Sequence, residues 1–338
     1  MKSRKYISLI MICIFAICLC ACSGGAENRD RENVFDDDDS SDEALQDMED
    51  GSDKMPNDTG LSSLEAQIKD EKDIYTYDGD EVVIEYQYRA EGADAVGLIV
   101  LCDGIAVPFH TDENIEDEIV QVVELDDGEW KDIDISFIPY GASGDLVSIE
   151  IVDVVDADYD VNTEDKDAIT DDFISGQKYS VNYLSGITVT MNEAGIVNDA
   201  EVYEESTKVT MTEELAEKYL IDLNDETVGF STSGLVNGTQ SLWYMVKEGE
   251  QLDIDILYYG DDIDCIYTSF YMDNELLPVF DGKNYAKCSV EKDEYTLISA
   301  TIDTSGFEPG RYVIYSACGN TLYNTARPTI AFVLEVEE

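Results

Sequence analysis

Hydrophobic and polar residues alternate with a period of two over much of this chain. The segments EVVIEYQYRA (residues 81–90) and KDIDISFIP (residues 131–139) place apolar side chains at every second position, the first in part and the second throughout. AVGLIVLCDG (residues 95–104) is a continuous apolar run that ends in a turn sequence. β-Branched and aromatic residues, which strands favour, dominate these segments. The pattern therefore predicts short strands separated by turns, as in an antiparallel β-sandwich.

The same order of strands and turns occurs a second time, 170 positions further along the chain. GDEVVIEYQY (residues 79–88) aligns with GEQLDIDILY (residues 249–258). The identical residues at this offset are Gly79/Gly249, Ile84/Ile254, Tyr88/Tyr258, Asp94/Asp264, Asp103/Asp273, Pro108/Pro278 and Pro139/Pro309. A constant offset over matching elements indicates a tandem duplication. The expected fold is therefore mainly β, with two tandem antiparallel β-sandwiches at residues 61–157 and 228–338.

Turn residues and one strand start refine this expectation. Asp103-Gly104 and Asp273-Asn274 tolerate positive φ, so both dipeptides predict tight turns between strands. The sequence Pro309-Gly310-Arg311-Tyr312 resembles the strand start that is common in bacterial immunoglobulin-like domains. The resemblance implies immunoglobulin-like β-sandwich modules, and it implies nothing about function because one fold serves many functions.

Two segments have the period of a helix instead. Ser62 and Glu65 have the spacing of a capping box ahead of apolar positions on one face, which predicts a short helix before the first sandwich. Residues 158–227 are expected to connect the sandwiches. This segment is expected to hold a strand pair in YSVNYLSGITVTM (residues 179–191) and a helix in TMTEELAEKYLIDL (residues 210–223).

The chain begins with basic residues, followed by an almost unbroken apolar run from Tyr6 to Ala21. A membrane-spanning helix needs about 20 apolar residues, so this shorter run is typical of a secretory signal peptide. Leu19-Cys20-Ala21-Cys22 resembles the lipobox of bacterial lipoproteins. The resemblance implies that a signal peptide, residues 1–21, is removed and that Cys22 carries a diacylglycerol thioether with palmitate-type chains. Two acyl chains would anchor the protein stably at the extracytoplasmic face of the bacterial cell membrane.

Acidic residues dominate the composition and the segment after the signal peptide. The chain has 76 acidic and 20 basic residues, for a formal net charge of −56. Such a charge repels nucleic acid, so a nucleic-acid partner is excluded from the expected functions. Residues 22–60 are rich in Asp, Glu, Ser and Gly and poor in apolar residues. We expect this segment to be a disordered acidic linker between the lipid anchor and the first sandwich.

Four cysteines follow the expected lipidation site: Cys102, Cys265, Cys288 and Cys318. They lie at wide spacing without a CxxC motif, which does not favour a zinc site or a thioredoxin-like motif. Buried free thiols are the simplest interpretation, since free cysteine is among the most buried residue types. A Cys288–Cys318 disulfide is the alternative.

An acidic loop after the first predicted sandwich has the rhythm of a calcium site. In DADYDVNTEDKD, oxygen-bearing side chains fall at the positions of EF-hand ligands. These candidate ligands are Asp156, Asp158, Asp160, Asn162, Glu164 and Asp167. Val161 stands where the EF-hand turn needs glycine, and the flanking segment before the loop is strand-like. The favoured interpretation is therefore a solvated loop between domains with no cofactor, and calcium binding is the alternative.

Aromatic residues offer a second kind of candidate site. Ordinary strand packing is the favoured role of these residues, and the alternative is that exposed rings on a sandwich stack on sugar rings. The candidates are Trp130, Trp243, Tyr259, Tyr267 and Tyr271. The sequence contains one histidine, His110, and lacks GxSxG, GxGxxG and GxxxxGK[ST] motifs. No pair of carboxylates stands out for glycoside hydrolysis.

These patterns favour a lipoprotein that presents a non-catalytic binding or structural surface at the cell envelope. Its expected partners are the membrane, through the lipid anchor, and a protein or glycan at the envelope. One alternative is a carbohydrate-binding or calcium-dependent adhesion module. A second alternative is a carboxylate-based hydrolase, which would need two carboxyl groups in one cleft.

Overall fold

Alternating burial along the strands produces two β-sandwiches, as expected from the period of two. The computed structural model describes residues 63–69, 75–162, 166, 169, 178–221, 231–292, 294–320 and 330–338. The predicted signal peptide, lipidation site and acidic linker lie outside these residues. Strand β3 (Val82–Glu91) is an example, because its residues alternate between the core and the surface along its whole length.

Ten strands form the first sandwich: β1 (Ser63–Ile68), β2 (Tyr75–Tyr77), β3 (Val82–Glu91), β4 (Ala95–Cys102), β5 (Ile105–Ala106), β6 (Phe109–Thr111), β7 (Val120–Glu124), β8 (Lys131–Phe137), β9 (Leu146–Val155) and β10 (Val181–Met191). Its outer sheet has the strand order β1-β3-β8-β6. Its inner sheet has the order β2-β10-β9-β4-β5, and β7 also pairs with β4. Apolar residues of both sheets, including Ile84, Leu98 and Ile135, form the core between them.

The second sandwich contains the remaining strands, and a short helix, α1 (Glu213–Lys218), follows the first two of them. The strands are β11 (Val202–Tyr203), β12 (Thr207–Val209), β13 (Ser231–Val236), β14 (Trp243–Lys247), β15 (Gln251–Tyr259), β16 (Ile263–Met272), β17 (Glu275–Leu277), β18 (Tyr285–Val290), β19 (Tyr295–Asp303), β20 (Gly310–Asn320) and β21 (Ala331–Glu337). The inner sheet has the order β11-β18-β16-β20-β21-β14, with β17 on β16, and the outer sheet has the order β12-β19-β15-β13.

The predicted fold class, mainly β with two tandem β-sandwiches, is confirmed. Most neighbouring strands are antiparallel, and three short strands at sheet edges pair in parallel: β2 with β10, β11 with β18 and β14 with β21. Within the described residues, no helix is long and apolar enough to cross a membrane.

Corresponding strands of the two sandwiches have corresponding partners. The turns at Asp103 and Asp273 both have φ of 49° and connect equivalent strands. The offset between equivalent positions is 170 through these turns, and it becomes 165 from β7 and β18 onward. Pro139 and Pro309 are therefore not equivalent, and this pair of the predicted repeat is wrong. The second copy is five residues shorter between its turn and the next long strand.

The helix predicted around Ser62 and Glu65 is also wrong, because Ser63–Ile68 is the edge strand β1. Leu64, Ala66 and Ile68 pack against the first core. Leu64 and Ile68, four positions apart, would also share one face of a helix, but backbone pairing with β3 favours the strand. Six backbone pairings outweigh a capping motif that is favourable only locally.

The segment predicted to connect the sandwiches contributes strands to both. YSVNYLSGITVTM forms one strand, β10, with a register shift between Tyr183 and Ser185, rather than a strand pair. This strand completes the inner sheet of the first sandwich, whereas β11 and β12 pair with strands of the second. The predicted helix is present as α1, whose first turn is capped by the Thr212 hydroxyl, which accepts from the backbone N–H of Leu215 at 3.2 Å.

A third apolar cluster joins the two inner sheets, so the four sheets form successive layers. Ile99, Leu101, Val152 and Val154 contribute from the first sandwich. The second sandwich contributes Trp243, Tyr271, Val313, Tyr315, Ala317 and Val333. Because these side chains are buried against each other, the sandwiches share a continuous core and pack as one body.

The turns that follow β4 and β16 reach across this interface in a nearly symmetric way. The turn at Gly104 lies against Gly319 near the end of β20, so closely that a Cβ on Gly319 would lie 2.5 Å from the Gly104 Cα. In the equivalent place, the Asn274 side-chain amide donates to the Ala157 carbonyl, just after β9, at 3.0 Å. Each sandwich thus contacts the other through the same two elements.

Candidate functional site: a polar cleft between the sandwiches

A cleft of about 600 Å³ opens where the loop after β9 meets the second sandwich. It is lined by Ala157, Asp158, Tyr159, Asp160, Val161, Asn162, Tyr179, Asp273, Asn274, Glu308, Pro309, Gly310, Arg311, Tyr312 and Val313. The lining combines carboxylates, amides, tyrosines and one arginine. It contains part of the predicted calcium loop, the second tight turn and the strand start at Pro309.

Asp156 fixes the loop at the edge of the cleft. Its backbone has φ of 46°, and its side chain is 1% exposed. One carboxylate oxygen accepts the backbone N–H groups of Asp94 and Ala95, at 2.7 and 3.0 Å. The other oxygen pairs with the Lys178 ammonium, which also lies 4.9 Å from the centre of the Tyr159 ring. These bonds tie the end of β9 to the start of β4 and hold the loop in place.

Hydrogen bonds within each sandwich and one bond between them close the floor of the cleft. The Tyr179 hydroxyl donates to the carbonyls of Ala157 and Tyr159, at 3.2 and 3.1 Å. The Tyr315 hydroxyl donates to Asn274 at 3.0 Å, and Asn274 in turn donates to Ala157. The cleft floor therefore depends on both sandwiches.

Arg311 forms one wall. Its guanidinium donates to the Val161 carbonyl at 3.3 Å, lies 3.6 Å from a Glu335 carboxylate oxygen and covers the Trp243 ring at 5.1 Å. Its backbone N–H donates to the Asn162 side chain at 3.2 Å. These contacts orient the arginine along the cleft and use both its charge and its flat face.

The carboxylates of the cleft give it a negative potential. Burial raises the pKa of the Asp273 carboxyl, and repulsion from the Glu275 and Asp160 carboxylates raises that pKa further. Asp158 and Asp160 themselves are exposed to solvent or partly so. Asp273 therefore holds a proton more readily than an ordinary surface aspartate, next to carboxylates that are open to solvent.

The predicted calcium ligands do not form one group of available oxygens among the described residues. Both oxygens of Asp156 are occupied by backbone N–H groups and Lys178, and Asn162 bonds the backbone of Arg311. Glu164 and Asp167 lie outside the described residues. Among the residues that the structure does describe, no group of three or more His, Cys, Asp or Glu side chains is arranged for a metal ion. Calcium binding by this loop stays a prediction.

The five aromatic candidates do not form one exposed row. Trp243 and Tyr271 are buried between the sandwiches, where Tyr271 stacks on Tyr315 with ring centroids 5.2 Å apart. Tyr267 also lies at this interface, beside the turn at Gly104, whereas Tyr259 and Trp130 lie elsewhere. Tyr259 stacks on Tyr295 at 5.6 Å, Tyr267 lies 5.4 Å below the Lys287 ammonium, and Trp130 is 42% exposed on the outer sheet of the first sandwich.

The four cysteines of the sandwiches are free thiols. Cys288 and Cys318 lie on β18 and β20, which flank β16 on opposite sides. Cys288 lies opposite Ile266 and Cys318 lies opposite Thr268, so two strand spacings of about 4.8 Å set a minimum of about 9.6 Å between their Cα atoms, beyond the roughly 7 Å that a disulfide allows. The alternative of a Cys288–Cys318 disulfide therefore does not fit the fold. Burial raises the pKa of the Cys288 thiol to about 12.

Sequence reasoning missed Tyr179, Asn274, Arg311 and Tyr312 as residues of one site. Two signals pointed to their neighbourhood: the turn at Asp273-Asn274 and the strand start at Pro309. Their meeting with the loop after β9 depends on how the inner sheets pack, which no local pattern of either segment specifies.

No family model matches the chain, and no curated protein is similar to it in sequence. Among solved structures, it is similar to a family 123 glycoside hydrolase from Clostridium perfringens, with 8% identity and a TM-score of 0.25, over 32% of this chain and 28% of that chain. It is also similar to fibronectin(III)-like modules of Clostridium thermocellum CbhA, with 9% identity, a TM-score of 0.22 and coverage of 81% and 94%. A further similar structure is the Ig1-2 module of Drosophila receptor protein tyrosine phosphatase DLAR, with 10% identity, a TM-score of 0.21 and coverage of 81% and 99%. These TM-scores are low, so the similarity to these structures indicates no function for this chain.

Proposed function

We propose that this protein is a lipid-anchored module that presents a non-catalytic binding surface at the bacterial cell envelope. The observation that carries the proposal is the shared core between the two inner sheets. It makes two sandwiches into one body, with the cleft and two outer sheets directed outward. A body of this kind can hold a recognition surface in fixed geometry, which lowers the entropic cost of binding.

The anchor is tested first. Cys22→Ala removes the thiol that the lipobox-like sequence offers for lipidation, and the variant is expected to lose palmitate labelling and leave the membrane fraction. Cys20→Ala serves as the matched control, since the residue lies within the proposed signal peptide. Normal palmitate labelling of the Cys22→Ala variant would contradict the anchor.

The cleft supports a polar ligand of the carbohydrate type as the bound molecule. Sugars are recognised by tyrosine rings together with carboxylates and amides, and the cleft brings Tyr312, Asp158 and Asn162 to one opening. On a glycan array, the wild-type protein is expected to bind a small group of glycans, and Tyr312→Ala is expected to weaken that binding. Tyr259→Ala, outside the cleft, is the control. Binding that neither variant changes would place the glycan elsewhere.

Calcium is the other ligand proposed for this region, through the exposed Asp158 and Asp160. Because Asp156 is already occupied, we expect weak binding in the millimolar range of extracellular modules. Calcium at a few millimolar should therefore shift the melting temperature little more than magnesium does. A calcium-specific rise of several degrees that Asp158→Ala abolishes would show a tighter site.

A carboxylate-based hydrolase is a second candidate function, favoured by the raised pKa of Asp273 beside Asp160. An acid with a raised pKa near a second carboxyl group is the kind of pair that glycoside hydrolysis uses. Under this candidate, the wild-type protein would release product from an array-positive glycan, and Asp273→Asn would stop release without stopping binding. Binding without product release favours the non-catalytic proposal.

A further inference from the structure

One edge of the outer sheet in the first sandwich has no strand partner among the described residues, whereas a strand covers the equivalent edge of the second sandwich. Strand β8 pairs with β3 along its length and with β6 only at Ile135–Phe137. The backbones of Asp112 and Asp134 extend the second pairing by one step, at 3.2 Å. Across the part of the chain that the structure describes, no strand pairs with this edge at Trp130–Asp132.

The equivalent edge in the second sandwich carries a short strand from the segment between the sandwiches. Thr207 and Val209 of β12 lie opposite Leu297 and Tyr295 of β19, in antiparallel register. With the offset of 165, Leu297 corresponds to Asp132 and Tyr295 corresponds to Trp130. The repeat therefore shows which kind of segment this edge can accept, namely a short extended strand.

Charge near this edge is conserved between the two copies. In the second sandwich, the Lys208 ammonium of β12 lies 3.0 Å from Glu294 and 3.8 Å from Glu291. The corresponding positions in the first sandwich are Glu129 and Asp126, both exposed and neither in an ion pair within the described residues. The first copy thus keeps the acidic pair that holds a lysine in the second.

Lys131 is the basic residue closest to this edge, and its charge is already used. Its ammonium lies 2.7 Å from the Glu113 carboxylate and donates to the Glu124 carbonyl at 2.8 Å. Thr296, the equivalent residue in the second sandwich, makes the corresponding bond to the Ser289 carbonyl. Lys131 therefore leaves Asp126 and Glu129 available to a basic side chain from outside.

An apolar contact accompanies the charge. Val209 lies opposite Tyr295 in the covered copy, where Tyr295 is half-buried. Trp130, in the same position of the first sandwich, is 42% exposed. In β12, Val209 directly follows Lys208. An incoming strand with an apolar residue directly after its lysine would cover the Trp130 ring in the same way.

The open edge of the first sandwich needs only a strand as its partner, without the helix that accompanies β12 in the second sandwich. In the second sandwich, α1 and its flanks cover an apolar patch of the outer sheet that includes Leu235, Leu257 and Leu297. The first sandwich has polar residues there, since Gln87 bonds Gln67 at 2.9 Å and Asp132 at 2.5 Å. That polar surface needs no cover, so only the edge itself is left for a partner.

We propose that the β8 edge at Trp130–Asp132 binds an extended, basic segment of a partner protein as an added antiparallel strand. Backbone hydrogen bonds would provide affinity, and Asp126, Glu129 and Trp130 would select a sequence of the Thr-Lys-Val type. The inference goes beyond the proposed function and depends neither on the lipid anchor nor on the cleft.

A labelled peptide with the sequence of residues 205–212, ESTKVTMT, tests the proposal by fluorescence anisotropy with the full chain. Its own site in the second sandwich is occupied by β12, which leaves the first sandwich as the open one. We expect saturable binding that weakens at least tenfold when the peptide lysine is replaced by glutamate. Absence of saturable binding would overturn the proposal.

Two variants of the protein locate the site. Asp134 directs its backbone N–H and C=O toward β6, so Asp132, two residues earlier, directs its own toward the open edge. Asp132→Pro removes that N–H without breaking a backbone hydrogen bond to β3, and it also loses the side-chain bonds of Asp132 to Gln87 and Lys69. It is expected to abolish binding, whereas Asp132→Asn keeps the N–H and most of the affinity. Equal binding by both variants would overturn the proposal.

Charge reversal gives a readout that does not depend on proline. The double variant Asp126→Lys, Glu129→Lys is expected to reject the lysine peptide and to bind the glutamate peptide, an exchange of preference that general loss of folding cannot produce. Unchanged preference would contradict the role of the acidic pair. Self-association of the wild-type chain that Asp132→Pro abolishes would show that a second copy takes the edge, and it would also overturn the proposal.

Discussion

At the scale of single residues, the first core contains an acid without a basic partner. Asp153 is fully buried, and one of its oxygens accepts the Tyr86 hydroxyl at 3.1 Å. Its other oxygen and the Tyr88 hydroxyl have no hydrogen-bond partner within the described residues. Burial raises the pKa of Asp153 well above its usual range, and the bond from Tyr86 only partly opposes this effect. The fold therefore favours a protonated Asp153.

This pKa makes stability depend on pH. Between the unfolded value near 4 and the raised folded value, the folded state binds one more proton, so the free energy of unfolding falls by about 1.4 kcal/mol per pH unit as pH rises. Asp153→Asn removes the titrating carboxyl group and so the proton uptake on folding. The melting temperature of this variant at pH 7 should exceed that of the wild type, and the difference should shrink toward pH 4. Asp134→Asn, on the exposed face of β8, is the control. A variant less stable than the wild type at pH 7 would contradict this account.

Asp156 presents the opposite case, a buried carboxylate with a partner. Asp156→Asn keeps an acceptor for the N–H groups of Asp94 and Ala95 and leaves the Lys178 ammonium without its counter-charge. Such a loss costs about 3 kcal/mol in the free energy of unfolding. Asp158→Asn, an exposed neighbour in the same loop, should change it by less than about 0.5 kcal/mol. Chemical denaturation measures both, and equal effects would show that the ion pair contributes little.

At the scale of elements, the approach of a turn to a strand sets the distance between the inner sheets. Gly319 has no room for a side chain, because a Cβ there would also lie 2.9 Å from the Leu101 side chain. Gly310, at the start of the same strand, has no atom within 4 Å of an added Cβ. The two glycines therefore separate the effect of crowding at the interface from the effect of changing a glycine in β20.

Gly319→Val should lower the free energy of unfolding by about 3 kcal/mol, at the upper end of what overpacking costs. Gly310→Val should leave it nearly unchanged or raise it slightly, because valine favours strands. Urea denaturation of both variants checks the difference. Equal stability of the two would mean that the inner sheets do not press together at Gly104.

Strand periodicity and turn chemistry predicted the sandwiches, because alternation and positive-φ residues act within a few positions of the chain. Ser63–Ile68 escaped prediction because its pairing with β3 is distant in sequence. The shift of the repeat offset escaped because Pro139 and Pro309 are identical by coincidence. The cleft was not predicted for the same physical reason as β1, since it depends on contacts between segments that are distant in sequence. Its loop, turn and strand start meet only after two sheets have packed.

At the scale of the whole molecule, the two copies of the duplicated sandwich form an interface with each other. Equivalent faces of the two sandwiches pack together, and the turns at Gly104 and Asn274 each reach the end of a long strand in the other sandwich. The cleft lies at one of these two meeting points, the one with Asn274. The open edge of β8 lies on the outer sheet, away from both. One body can thus carry two separate surfaces.

The central claim is that the two sandwiches share a core and form one body. The most direct test is a nuclear Overhauser measurement on full-length protein labelled selectively at glycine. A cross-peak between the α-protons of Gly104 and Gly319 is expected, since their backbones touch. Gly141 and Gly195, whose backbones are hydrogen-bonded at 3.0 Å within the first sandwich, provide the internal control. A control cross-peak between Gly141 and Gly195 without one between Gly104 and Gly319 would contradict the shared core and, with it, the cleft.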